Sequence, residues 1–150
     1  MKSKFPVLNV YKKKTKKSSV VTQLLYGDTF KKLEQKGSWI RIKNDSDNYK
    51  GYIKNKKFNL NDKSTHKICV LYSNLYSKPN DRKKIKKKLS FGSKVKITER
   101  KGKFFKFDKF WIKKDSLKKI SFKTQNSFKD IRKFINVKYK WGGKHFSGID

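Results

Sequence analysis

Asn9-Val10-Tyr11 returns as Asn74-Leu75-Tyr76, and the residues that follow return with it. Leu24, Gly27, Phe30, Glu34, Gly37 and Trp39 recur as Leu89, Gly92, Val95, Glu99, Gly102 and Phe104, each 65 positions further on. Ile40 and Ile42 match Phe105 and Phe107 at that same offset. Tyr52-Ile53-Lys54 then matches Trp111-Ile112-Lys113 at 59, so the second repeat lacks six residues. A constant interval through glycines and aromatics marks one structural unit written twice. It confines each unit to a fold that closes within about 60 residues.

Each repeat reads as short strands. In Ser38-Trp39-Ile40-Arg41-Ile42-Lys43, alternation puts Trp39 and Arg41 on one face and Ile40 and Ile42 on the other. Phe105 and Phe107 share a face in the second repeat. Gln35-Lys36-Gly37 and Arg100-Lys101-Gly102 are polar turns ending on glycine, suited to hairpins. Asn44-Asp45-Ser46-Asp47-Asn48 is a further turn. Strands this short, broken by turns, predict small curled barrels with one face buried and lysines on the other.

The first repeat resembles bacterial SH3-like domains in three places. These are Leu25 to Asp28, Gly37 to Trp39, and Asp47-x-Tyr49-x-Gly51-Tyr52. The resemblance implies two SH3-like barrels in tandem, at residues 5–62 and 66–120. The second lacks the Asp-x-Tyr-x-Gly turn.

After Ile120 the texture changes. Ser127-Phe128-Lys129-Asp130 is a capping-box variant. Phe128, Ile131 and Ile135 follow at helical spacing with Phe134 alongside, and Asn136 is placed to end the helix in a left-handed conformation. The chain then runs Tyr139-x-Trp141-Gly142-Gly143 to Gly148-Ile149-Asp150. A helix followed by this motif resembles the start of an NlpC-type domain, a papain-like family of bacterial cell-wall cysteine peptidases. The expected class is therefore mainly β, with one short helix of an incomplete α+β papain-like domain from residue 125 to 150.

That resemblance implies a function. Such enzymes hydrolyse the bond from γ-D-glutamyl to a diamino acid in peptidoglycan-derived peptides with a free N-terminal L-Ala. In the family a Cys-Ser-Gly follows the aspartate at once, and its cysteine is the nucleophile, activated at a helix N-terminus and by a histidine base. Neither group lies in this chain, so no catalytic residue is assigned and the 150 residues are expected to be inactive, as a truncated enzyme. By the resemblance, Asp150 and Tyr139 help bind the substrate's free amine. Asp47 and Tyr49 are secondary candidates, because the first SH3-like module closes one wall of the pocket. Family members commonly carry Gly-x-Pro-Tyr where this chain has Asn136-Val137-Lys138-Tyr139, which loosens the turn and changes no catalytic group.

Cys69 and His66, three positions apart, invite comparison with a catalytic dyad. Lys67 to Tyr72 reads as one strand, however, and an odd separation on a strand sends the two side chains to opposite faces. Cys69 is then a small buried hydrophobe, and His145 a surface residue of the final motif. No set of residues has metal-ligand spacing, and phosphate-loop patterns are absent, so no cofactor is expected.

Charge supplies the rival reading. The formal net charge is +32, yet only four of the 43 basic residues are arginines, leaving 39 lysines, and alanine is absent. Readers of bases and phosphates favour the arginine fork, which lysine lacks. The lysines are those of A/T-rich codons as much as of a ligand surface. The alternative remains a basic SH3-like module binding nucleic acid or another anionic polymer, through runs such as Lys12 to Lys17 and Arg82 to Lys88. No apolar run approaches the roughly 18 residues of a membrane span. With no cleavable signal and one cysteine, the expected location is the cytoplasm.

Overall fold

Ile40 and Ile42 are 2% and 0% exposed while Arg41 between them faces solvent, so the alternation read in the sequence sets which side of the strand is core. A computed structural model describes residues 1–56, 58, 62–123 and 130–150, which separate into two units. One comprises Met1–Asp62 with Lys138–Asp150, the other Lys63–Val137. No helix among the described residues is long and apolar enough to cross a membrane.

In the first unit the strands are β1 (Val7–Tyr11), β2 (Val20–Leu25), β3 (Phe30–Lys36), β4 (Trp39–Asn44) and β5 (Lys50–Lys54). They form one antiparallel sheet in the order β2-β1-β5-β4-β3. Its core is Val10, Leu24, Phe30, Ile40, Ile42 and Ile53, with Leu8, Val21 and Phe58 packed against it. Each aliphatic side chain so buried contributes about 1.5–3 kcal/mol against the entropy of ordering. β1 crosses β5 closely: a Cβ on Gly51 would lie 2.7 Å from both Tyr11 O and Val10 Cγ1. Only glycine permits that approach, which curls the sheet onto its own core.

The second unit repeats the order. After β6 (His66–Ile68) come β7 (Tyr72–Tyr76), β8 (Lys84–Ser90), β9 (Lys94–Val95), β10 (Glu99–Lys101), β11 (Phe104–Phe107), β12 (Phe110–Lys113) and β13 (Leu117–Lys119). Its larger sheet runs β10-β11-β12-β7-β8, the order of the first unit's sheet with equivalent strands. A smaller sheet, β13-β6-β9, completes the unit. The six-residue difference lies in one hairpin. In the second unit Phe107 pairs with Phe110 across a two-residue turn, with Asp108 at φ 46°. In the first, Lys43 pairs with Lys50 and the loop between them carries Asp47.

Two expectations change, the single strand at Lys67 to Tyr72 and the left-handed cap at Asn136. Lys67 to Tyr72 is not one strand: β6 ends at Ile68, and the amide of Cys69 is drawn to the Ser116 carbonyl at 2.9 Å while Phe91 N–H reaches Leu71 O at 2.9 Å. The chain thus changes sheets over Cys69–Leu71. The expected helix is, among the described residues, α-helical at Asp130 and Ile131 and closes as a 3₁₀ turn at Arg132–Phe134, while Ser127 and Phe128 lie outside those residues. Phe134 stacks edge-on against Phe91, but Ile131 and Ile135 are 60% and 73% exposed. Asn136 does not take a positive φ, so it forms no left-handed cap.

Candidate functional site

The last thirteen residues fold onto the first unit. β14 (Lys144–His145) and β15 (Gly148–Ile149) form a small hairpin, and Tyr139 lies parallel to Ile149 beside it. Lys140 N–H donates to Ile149 O at 2.8 Å, Ile149 N–H to Lys138 O at 3.1 Å, and Asp150 N–H to Gly143 O at 3.1 Å. The glycines make this winding possible. A Cβ on Gly143 would sit 2.4 Å from Gly148 O, and one on Gly142 would sit 2.9 Å from Val20 O. Gly142 also takes φ +65°, in the left-handed region. The glycine pair is where the tail's backbone meets β2.

Two polar anchors hold the hairpin. Lys144 N–H donates to Gln23 Oε1 at 2.8 Å, and Gln23 Nε2 donates to Asn9 Oδ1 at 2.8 Å. The Lys144 ammonium lies 2.6 Å from Asp47 Oδ2 and 3.2 Å from Ser46 Oγ. Asp47 also accepts from the Thr22 hydroxyl at 2.7 Å and the Tyr49 amide at 3.0 Å. Partial burial works to raise the Asp47 pKa, but the Lys144, Thr22 and Tyr49 hydrogen bonds outweigh it and hold the carboxyl below its ordinary value. Lys144 and Gln23 were not singled out from the sequence. A glutamine inside the apolar run Val20 to Leu25 was the available signal, since a buried amide needs partners.

Tyr139 and Asp150 come together. The Tyr139↔Ile149 bridge brings the two residues alongside, and local desolvation, then the nearby Asp150 carboxylate, raise the Tyr139 phenol pKa. Asp150 Oδ2 also accepts Gly142 N–H at 2.9 Å. Tyr139 and Trp141 are 70% and 68% exposed, so both rings face solvent. Asp47 and Tyr49 form a second pair, joined by the hydrogen bond that the Tyr49 N–H donates to Asp47 Oδ1, with Tyr49 56% exposed. Among the described residues no hydrogen bond joins the pairs directly; the hairpin joins them, through Lys144 on one arm and Ile149-Asp150 on the other. A carboxylate offers about four acceptor positions. Asp150 therefore retains capacity for an incoming ammonium, whereas Asp47 Oδ2 is already shared by two donors.

His66 and Cys69 do not form a dyad. The His66 ring sits edge-on to Phe105 with Thr65 Oγ1 at 2.8 Å from Nδ1, while the Cys69 thiol reaches Asp115 O at 3.7 Å. Cys69 is partly rather than fully buried. His145 is half-buried and held by Ser147 at 2.8 Å, so it is less a surface residue than the sequence suggested. Among the described residues no group of three or more His, Cys, Asp or Glu is placed to hold a metal ion.

The fold and this site define a mainly β protein of SH3-like architecture with a glycine-wound tail docked on its first sheet. Residues 6–57 match the bacterial SH3 domain family. Over 99% of the chain the fold is similar to that of an NlpC/P60 family protein from Bacillus cereus ATCC 10987, with a TM-score of 0.80 and 12% sequence identity. The chain spans 68% of that protein. NlpC2 from Trichomonas vaginalis also aligns, over 96% of this chain and 57% of its own, at 16% identity and a TM-score of 0.32. No curated protein sequence matches the chain.

Proposed function

We propose that residues 1–150 are the barrel and threshold portion of a murein-peptide cysteine endopeptidase acting in the cytoplasm. Its reaction would be hydrolysis of the bond from γ-D-glutamyl to a diamino acid in peptidoglycan-derived peptides. The first unit forms the wall that receives the peptide's free amine. Asp150 supplies the negative charge, the Gly142 N–H that it accepts fixes its direction, and the Tyr139 phenol stands beside it. Asp47 and Tyr49 bound the same wall at a second position, and the barrels shape or occlude the pocket. The observation that carries this reading is the meeting of Tyr139 and Asp150 at an exposed edge, in a chain folded like an NlpC/P60 protein. The reading requires a Cys-Ser-Gly after Asp150 in the coding DNA, and makes the 150 residues alone inactive.

The test is a titration of the chain with L-Ala-γ-D-Glu and with its N-acetyl derivative, followed by the amide resonances of Gly142 and Gly143. The free amine should bind and the acetylated dipeptide should not; Asp150→Asn should abolish the difference. Equal binding of both, or of neither, would sink the reading.

A second reading rests on β8, an edge strand whose Lys84, Lys86 and Lys87 are all exposed. We propose contact with an anionic polymer there as the alternative function. Its signature is affinity for duplex DNA that falls steeply and log-linearly with salt. Affinity that ignores salt would exclude it.

A further inference from the structure

The two units carry the same aromatic triplet on equivalent strands. In the first, Tyr11 pairs with Tyr52 across β1 and β5, and the Tyr11 and Trp39 rings meet edge-to-face at 5.9 Å. In the second, Tyr76, Phe104 and Trp111 cluster, with Tyr76 and Phe104 edge-to-face at 5.1 Å. A lysine stands at the same register in both. Lys54, opposite Trp39, has its ammonium 4.6 Å from that ring's centre; Lys113, opposite Phe104, lies 6.0 Å from the Tyr76 ring.

The units differ in what faces that lysine. In the second, the loop between β7 and β8 brings the Asp81 carboxylate between Lys103 at 2.5 Å and Lys113 at 2.7 Å. By the interval of 65 that relates the repeats, Asp81 falls on Lys16 and Lys103 on Ser38. Lys16, in the loop between β1 and β2, lines a groove of about 250 Å³ with Lys54 and Lys56, walled by Val7, Leu8 and Tyr11. Lys54 Nζ donates to Ser38 Oγ at 3.0 Å instead. Among the described residues none of the three lysines has a carboxylate partner. One repeat thus carries its own acid at this place, and the other substitutes a third cation.

We infer that the groove in the first unit binds a carboxylate borne on a small apolar body, the ligand taking the position that Asp81 occupies in the second unit. Three lysines line this groove, Lys54 Nζ also lying over the Trp39 ring at 4.6 Å and Lys56 Nζ over the Phe5 ring at 4.2 Å, and an anion placed among them would accept charge-assisted hydrogen bonds as Asp81 does. Val7, Leu8 and the Tyr11 ring offer the apolar body a surface. Asp81 itself shows a carboxylate held at this lysine register beside this aromatic triplet. The inference stands apart from the peptidase reading, since none of Asp47, Tyr49, Tyr139 and Asp150 lines the groove.

The experiment follows amide resonances of the full chain during titration with N-acetyl-alanine, with N-acetyl-alaninamide and with inorganic phosphate. N-acetyl-alanine should give saturable shifts at Tyr11, Lys16 and Lys54, and the amide none. Lys16→Asp, an exposed loop substitution, builds the second unit's clamp into the first and should weaken N-acetyl-alanine at least about tenfold. Asp81→Asn should open the equivalent position, adding new shifts at Lys113. Unchanged affinity in Lys16→Asp would overturn the inference. So would phosphate binding the groove as tightly as the carboxylate, or shifts spread evenly over the lysines of both units.

Discussion

The Lys144 ammonium lies 2.6 Å from Asp47 Oδ2 although 97 positions separate the two residues. Their side chains are 32% and 19% exposed, so the pair is only half in water and is screened less than a surface ion pair. Lys144→Met keeps the apolar stem and removes the charge. It should release the β14–β15 hairpin while leaving the first sheet folded. Amide exchange at Ile149 and Asp150 should quicken about fivefold to tenfold, matching about 1–1.4 kcal/mol for one partly buried pair. Exchange in the β4–β5 ladder should not change; if it quickens equally, the tail and the sheet open as one body.

The same pair fixes a pH dependence. Asp47 titrates below its ordinary value of 3.8 when folded, so the unfolded state binds the proton more readily. Its contribution is therefore complete above the ordinary value and is lost as pH falls through the lowered folded one. Hairpin protection should be flat from neutrality down to about pH 4 and collapse below that. Asp47→Asn should remove the acid-dependent step and start from lower protection. A step unaltered by Asp47→Asn would assign it to another carboxylate.

Core burial makes an independent contrast in the first unit. Ile42 is 0% exposed within its apolar cluster, whereas Leu33 on β3 is 46% exposed. Ile42→Ala should cost about 2–5 kcal/mol in urea unfolding, the range for a buried aliphatic truncated to alanine. Leu33→Ala should stay within about 0.5 kcal/mol. Comparable costs at both positions would contradict the sidedness of the barrel.

How much of this was legible beforehand depends on what kind of signal each feature leaves. The interval of 65 and the Trp39–Ile42 alternation exposed the barrel strands because period and repetition survive any composition. The crossover at Cys69–Leu71 left none: Ile68, Val70 and Leu71 look like strand, and only carbonyls from Ser116 and Ser93, distant in sequence, break it. Tyr139 and Asp150 entered through a motif and do meet. Lys144 did not enter at all, because among 39 lysines no sequence property marks the one that will face an acid. Ion pairing is chosen by tertiary geometry, and a lysine-rich chain hides that choice better than most.

Cys69 offers a chemical test of its surroundings. Burial raises the thiol pKa above its ordinary value of 9.0, with Lys118 and Lys133 pulling the other way. Since the thiolate is the reactive form, iodoacetamide should label native Cys69 several-fold more slowly at pH 8 than the urea-unfolded chain. The native rate should still be climbing past pH 9. Labelling as fast as in urea would mean the lysines win and the thiol is activated.

Gly142 combines two constraints that Gly37 separates. Both take a positive φ, +65° and +55°, where a side chain is strained. Around Gly37 nothing lies within 4 Å of a built Cβ, so Gly37→Ala should cost only the left-handed penalty of about 1–2 kcal/mol. At Gly142 the methyl would also meet Val20 O at 2.9 Å and Val21 O at 3.2 Å, backbone atoms of β2 that cannot swing aside. Relief has to come from the tail lifting off. Gly142→Ala should therefore uncouple the hairpin, accelerating exchange at Asp150 and Lys144 well beyond the effect of Lys144→Met, and should break the Gly142 N–H bond that orients Asp150. The first sheet should melt as before. If Gly142→Ala leaves hairpin protection intact, the close seat of the glycine pair on β2 is not what holds the tail in place.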